Sequence, residues 1–262
     1  MLIITGIFFL QQFGTDIVGK AFGPIMFIWF AMLGILGLSQ LIMHPAILNA
    51  INPTFAYQLL ANHPGGFWIL ASVFLCTTGA EALYSDLGHC VKDNIRISWT
   101  FVKITLLLNY FGQGAWLLTQ DGTHLESNPF YTIMPDWFII YGIGIATIAT
   151  IIASQALISG SFTLISEAVR LNIWPKVKIN YPTETKGQLY VPSINWLLWI
   201  GCLMVVMYFK ESTNMEAAYG LSITLTMLMT TILLMIYLYS IGTSVWIIGV
   251  LTLLYASIEL SF

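Results

Sequence analysis

The sequence predicts an all-α integral membrane protein with about seven full spans and one partial span. Three observations predict it. First, apolar residues make up 58% of the 262-residue chain and charged residues only 8%, with a mean hydropathy of +0.83. A soluble domain carries roughly 25% charged residues, so these side chains cannot cover a water-facing surface. Second, residues 21–80, 137–166, 187–209 and 217–258 contain no Asp, Glu, Lys or Arg, and a spanning helix needs about 20 apolar residues. Third, the basic residues fall in alternate connections.

Apolar runs bounded by polar turns give the elements in order. A partial span covers about 2–12. Full spans follow near 20–42, 66–87, 98–119, 136–160, 190–209, 216–238 and 243–260, all in a single transmembrane domain. The stretch 137–169 is longer than one span and free of proline. It reads as a helix running past the membrane or as one broken near Gly160.

Orientation follows from the basic residues. Lys20, the 88–103 stretch (Lys92, Arg96, Lys103) and the 161–189 loop (Arg170, Lys176, Lys178, Lys186) hold eight of the nine; Lys210 is the ninth. The 43–65 and 120–135 connections hold none. The positive-inside rule places the basic set in the cytoplasm. Trp99, Trp116, Trp137, Trp196, Tyr208 and Tyr255 sit near span ends, where aromatic belts or lipid-facing bulk would put them.

Other features are quiet. A net charge of -3 says little of a chain that faces lipid. Cys76, Cys90 and Cys202 show no metal or disulfide spacing and read as packing residues. His44, His63, His89 and His124 lie at span ends or in loops, so no metal site is expected. No nucleotide loop, nucleophile elbow or catalytic triad is legible. Neither an enzyme nor a cofactor nor a nucleic-acid partner is therefore expected. The opening MLIITGIFFLQQFG lacks a basic n-region and a cleavage site. It reads as the end of a span whose beginning precedes Met1.

An ionisable side chain inside a span is costly, and membrane proteins keep one where it is paired, faces a cavity or has a function. Glu81 lies about fifteen residues into its span, with Asp86 close behind. Lys103, Asp136, Glu167 and Glu259 lie near span ends, within reach of water. Around Glu81 the chain reads Thr77-Thr78-Gly79-Ala80-Glu81-Ala82-Leu83-Tyr84-Ser85-Asp86. Gly79 and Ala80 allow the helix to unwind and expose carbonyls, which coordinate cations in discontinuous-helix transporters. Thr78 and Glu81, at i and i+3, add hard oxygens on one face. Two readings stay open: an ion or proton site, or a protonated carboxyl hydrogen-bonded to a neighbouring helix.

Two polar stripes line later spans. Ser154, Gln155, Ser159, Thr163 and Ser166 form one; Ser222, Thr226 and Thr230 form the other. Either lines a pathway or bonds between helices. Gly112, Gly114 and Ala115 permit close helix approach.

The ordered motifs FGTDIVGKAFGPIMFIWF (Phe13–Phe30), LNAINPTFAYQLL (Leu48–Leu60), TTGAEALYSDLGH (Thr77–His89), LNYFGQGA (Leu108–Ala115), NPFY (Asn128–Tyr131), SQALISGSFTLISEAVRLNIWP (Ser154–Pro175), GQLYVPSINW (Gly187–Trp196) and AYGLSITLTM (Ala218–Met227) resemble the KUP/HAK/KT potassium transporters nearly end to end. The resemblance implies part of the APC/LeuT-type fold, two inverted five-helix repeats with broken first helices; the 66–87 span would open the second repeat. It implies potassium uptake coupled to protons in a bacterial inner membrane, with K+ and H+ as the transported ions, and a homodimer is a candidate assembly. The family's ion-binding Thr and Glu map onto Thr78 and Glu81, and a tyrosine onto Tyr219. Thr77, Gly79, Ala80, Tyr84, Asp86, Ser159 and Ser222 are the accompanying broken-helix or pathway candidates.

Two departures accompany the resemblance. The chain begins inside what would be the fourth span, so it is expected to lack the first and third helices and the cytoplasmic C-terminal domain, and to be inactive alone. Glu167 stands where many relatives have Gln. The alternatives are an amino-acid permease of the same fold, which Glu81 disfavours because that substrate carries its own carboxylate, and a cation channel, for which no repeated pore loop is seen.

Overall fold

A computed structural model describes residues 1–13, 16–63, 65–77, 92–120, 128–181 and 189–261. Its helices are α1 (Leu2–Leu10), α2 (Asp16–Met43), α3 (Pro53–Asn62), α4 (Gly66–Thr77), α5 (Lys92–Leu117), α6 (Pro129–Thr132), α7 (Ile139–Arg170), α8 (Pro192–Phe209), α9 (Ser212–Ser240) and α10 (Val245–Glu259). No strand is formed among the described residues; Asn180 and Tyr190 make one isolated antiparallel bridge.

Four helices are long and apolar enough to cross a membrane: Ala21–Met43 within α2, then α7, α8 and α9. The residues of α1 and α10 are equally apolar but shorter. α5 covers all but the last two residues of the span expected at 98–119. Lys92, Asp93 and Arg96 occupy the first turns of α5 and lower its mean hydropathy. The choice left open at 137–169 is decided: α7 runs unbroken through Gly160 for 32 residues, about 48 Å at 1.5 Å per residue. The 43–65 connection is itself helical. A 3₁₀ helix covers Pro45–Ile51 before α3, each opening on a proline whose fixed φ suits a first turn.

The chain divides into two compact units, residues 1–53 with 81–199, and residues 54–80 with 200–262. In the first, α2 crosses α5 at backbone distance. A Cβ on Gly112 would collide with the backbone of Gly37, and one on Gly37 with the Leu108 carbonyl. Gly114 lies against Ile47, whose Cδ1 a Cβ would meet at 3.1 Å, and Ala115 is fully buried. The close approach expected of 112–115 is therefore present, and its partner is Gly37. Met32, Leu36, Ile133 and Met134 form a core ringed by Trp29, Trp116, Phe130 and Phe138. Asn128 caps α6, its Oδ1 accepting from the Phe130 amide at 3.0 Å.

In the second unit, α9 and α10 form an antiparallel hairpin. Gly242 takes φ +79° in the turn, a left-handed conformation that glycine adopts without steric cost. Large apolar side chains such as Ile140, Leu221 and Trp246 stand exposed, an outer surface suited to lipid rather than water.

Candidate functional site

The central expectation, Thr78-Gly79-Ala80-Glu81 with Tyr84 and Asp86, lies outside the described residues. Its approach is described: α4 is helical through Thr77, two residues before the break expected near 79–80.

The first polar stripe bonds between helices. Gln11 donates from Nε2 to Ser159 Oγ at 3.3 Å, and Thr163 turns its hydroxyl to the Ser159 carbonyl at 3.2 Å. Gln155 and Ser166, on the same stripe, are buried. Nearby, Asn195 is fully buried and donates from Nδ2 to the Phe8 carbonyl at 3.1 Å. The amide oxygens of Gln11, Gln155 and Asn195 are buried without a hydrogen-bond donor among the described residues. These polar contacts tie α1, the Gln11–Phe13 turn, α7 and α8 together.

The second stripe lies on the exposed face of α9. Ser222, Thr226 and Thr230 are exposed, and each hydroxyl donates to a carbonyl one turn earlier at 2.9–3.0 Å. Tyr219 shares this face and is 54% exposed. The inward face instead carries Gly220, Ile223, Thr224 and Thr231.

That inward face meets Glu259, which ends its helix as expected but is buried rather than open at a span end. Glu259 is only 5% exposed. Thr231 Oγ1 donates to its Oε1 at 2.7 Å, and Oε2 is buried without a partner among the described residues. The reason is helix length. α10 has 15 residues and α9 has 29. The hairpin therefore carries the far end of α10 only part-way along α9. Thr231 is five residues past the α9 midpoint at Thr226, under two turns. Short helix length, which sequence pattern alone renders as a span end, was the missed signal.

A cleft of about 570 Å³ leads to this carboxylate. Thr213, Glu216, Gly220, Thr224 and Leu228 line it down one side of α9, with Ser72 and Leu75 of α4 and with Glu259 and Leu260.

Two charged side chains elsewhere have close partners. Glu167 pairs with Arg170 at 2.7 Å, both well exposed, where an ion pair contributes little. Lys103 Nζ lies 5.5 Å from the Trp99 ring centre, a cation–π distance. Among the described residues no group of His, Cys, Asp and Glu could hold a metal ion.

Long apolar helices, an apolar outer surface and polar groups turned inward define a multi-pass integral membrane protein. The comparison with known proteins narrows the class. Residues 1–262 match the K+ potassium transporter integral membrane domain; the chain belongs to that family. It is 61% identical over 269 residues to the "probable potassium transport system protein Kup" of Cytophaga hutchinsonii, covering 100% of this chain and 41% of that protein. It is 61% identical over 266 residues to the same-named protein of Flavobacterium psychrophilum, covering 99% and 41%. Against that of Clostridium perfringens it is 54% identical over 269 residues, covering 100% and 40%. The chain thus spans about two fifths of the length of the curated relatives it matches. No solved structure matches it.

Proposed function

We propose that this chain forms part of a potassium-uptake transporter driven by a second ion, the proton, in a bacterial inner membrane. The end-to-end match to the potassium transporter domain carries the reading, supported by the names of its relatives. The fold proposed is the inverted-repeat APC/LeuT type, with the 66–87 span as a broken helix and the basic connections in the cytoplasm. Thr78 and Glu81 supply hydroxyl and carboxylate oxygens in place of the water shell of K+, with exposed carbonyls near Gly79 and Ala80. Tyr219 is the companion ligand and a homodimer the assembly.

The test is growth of a potassium-uptake-deficient bacterium at low external potassium. It carries a chimera in which this chain replaces the matching segment of the Cytophaga hutchinsonii protein, and its Glu81→Gln version. The chimera restores growth and Glu81→Gln does not. Equal growth of the two removes Glu81 from the ion site. An expressed chimera that supports no growth removes the potassium reading.

A further inference from the structure

We infer that Glu259 is a proton-binding site, loaded through the cleft along α9. The inference rests on the potassium-uptake reading for its consequence, though not for its chemistry. Glu259 is 5% exposed and lines the cleft; among the described residues its carboxylate takes one hydrogen bond, from Thr231, and Oε2 meets no donor. A buried polar atom calls for a partner, and the open Oε2 has the lone pairs to take one.

Among the described residues no counter-charge lines the cleft. From α9 the one charged group lining the cleft is Glu216, itself acidic; α4 contributes Ser72 and Leu75, and α10 and its end contribute Leu260 beside Glu259. No described Lys, Arg or His lines it. A dehydrated potassium ion needs a full shell of oxygens. Here the carboxylate and Thr231 are followed by Leu228, Leu225 and Leu260. A proton needs one lone pair, and Oε2 offers it.

The cleft gives the route. Its α9 lining runs from Thr213 to Leu228, about 22 Å of helix, from the N-terminal end of α9 to beside the carboxylate. A proton passes from water in the cleft to Oε2, leaving a neutral carboxyl whose Oε1 still accepts from Thr231. Its release returns the charge and favours water at the α9–α10 contact. Proton occupancy at Glu259 is thereby tied to how these two helices pack.

The test uses the same full-length chimera, purified and placed in vesicles. Its initial potassium-uptake rate is followed from mildly acid to mildly alkaline pH, with Glu259→Gln and Glu259→Asp beside it. The unmodified chimera shows a pH-dependent rate, Glu259→Gln loses that dependence, and Glu259→Asp keeps it with a shifted midpoint. An unchanged profile in Glu259→Gln overturns the proposal, as does a rise in the potassium KM with the profile intact, which would make the group an ion ligand. Infrared difference spectra between acid and alkaline samples give a second readout that needs no transport. A carboxyl band present in the chimera should vanish in Glu259→Gln and shift in Glu259→Asp. Its absence from the chimera overturns the proposal even if no uptake is seen, whereas a failed uptake assay with the band present counts only against the potassium reading.

Discussion

Gly37 and Gly112 meet backbone to backbone where α2 crosses α5. Neither glycine could carry a side chain without moving a helix, because the atoms that a Cβ would strike are main-chain atoms. Small residues at such crossings let helices in lipid gain packing that larger side chains forbid.

Gly112→Ala should therefore destabilise the protein by about 1–3 kcal/mol, the usual range for overpacking. Gly144→Ala, within α7 and with nothing within 4 Å of its added Cβ, should be neutral or gain up to about 1 kcal/mol from helix propensity. Detergent-induced unfolding of the purified protein measures both. Equal losses would show that the crossing is not the cause.

Asn195→Leu removes the bond to the Phe8 carbonyl. A polar contact between membrane helices contributes about 0.6–1.7 kcal/mol, so a loss in that range is expected in the same assay. Asn195→Asp should cost more, since it sets a negative charge at a fully buried position facing a carbonyl.

Tyr190 gives a pH prediction. It precedes α8, pairs with Asn180 through two backbone hydrogen bonds of 2.9 Å and sets its ring edge-on to Phe162. Burial raises its hydroxyl pKa above the ordinary 10.0. The folded state thus holds this proton more tightly than the unfolded state. The resulting stability is full below about pH 10 and is lost as pH rises through the raised value. Tyr190→Phe should make unfolding less sensitive to alkali above about pH 10, and parallel curves for both proteins would refute it.

The sequence by itself determined the membrane class and the family. Each rests on composition and one-dimensional pattern: long uncharged runs and ordered motifs. It also identified Gly112 as a contact point, because a small residue in an apolar run has few other uses. It did not identify Gly37 as the partner, since which helices cross depends on contacts far apart in the chain.

Tertiary structure decided which polar residues face inward. The serine and threonine spacing drew attention to Ser222, Thr226 and Thr230, whose hydroxyls satisfy themselves within α9. The inward hydroxyl is Thr231, one residue beyond, and only packing against α10 distinguishes the two faces. Likewise Glu259 stands at a helix end in sequence. In three dimensions a short helix beside a long one brings that end to the middle of its neighbour. Depth in a membrane is a property of packed helices, and pattern along one chain records only length.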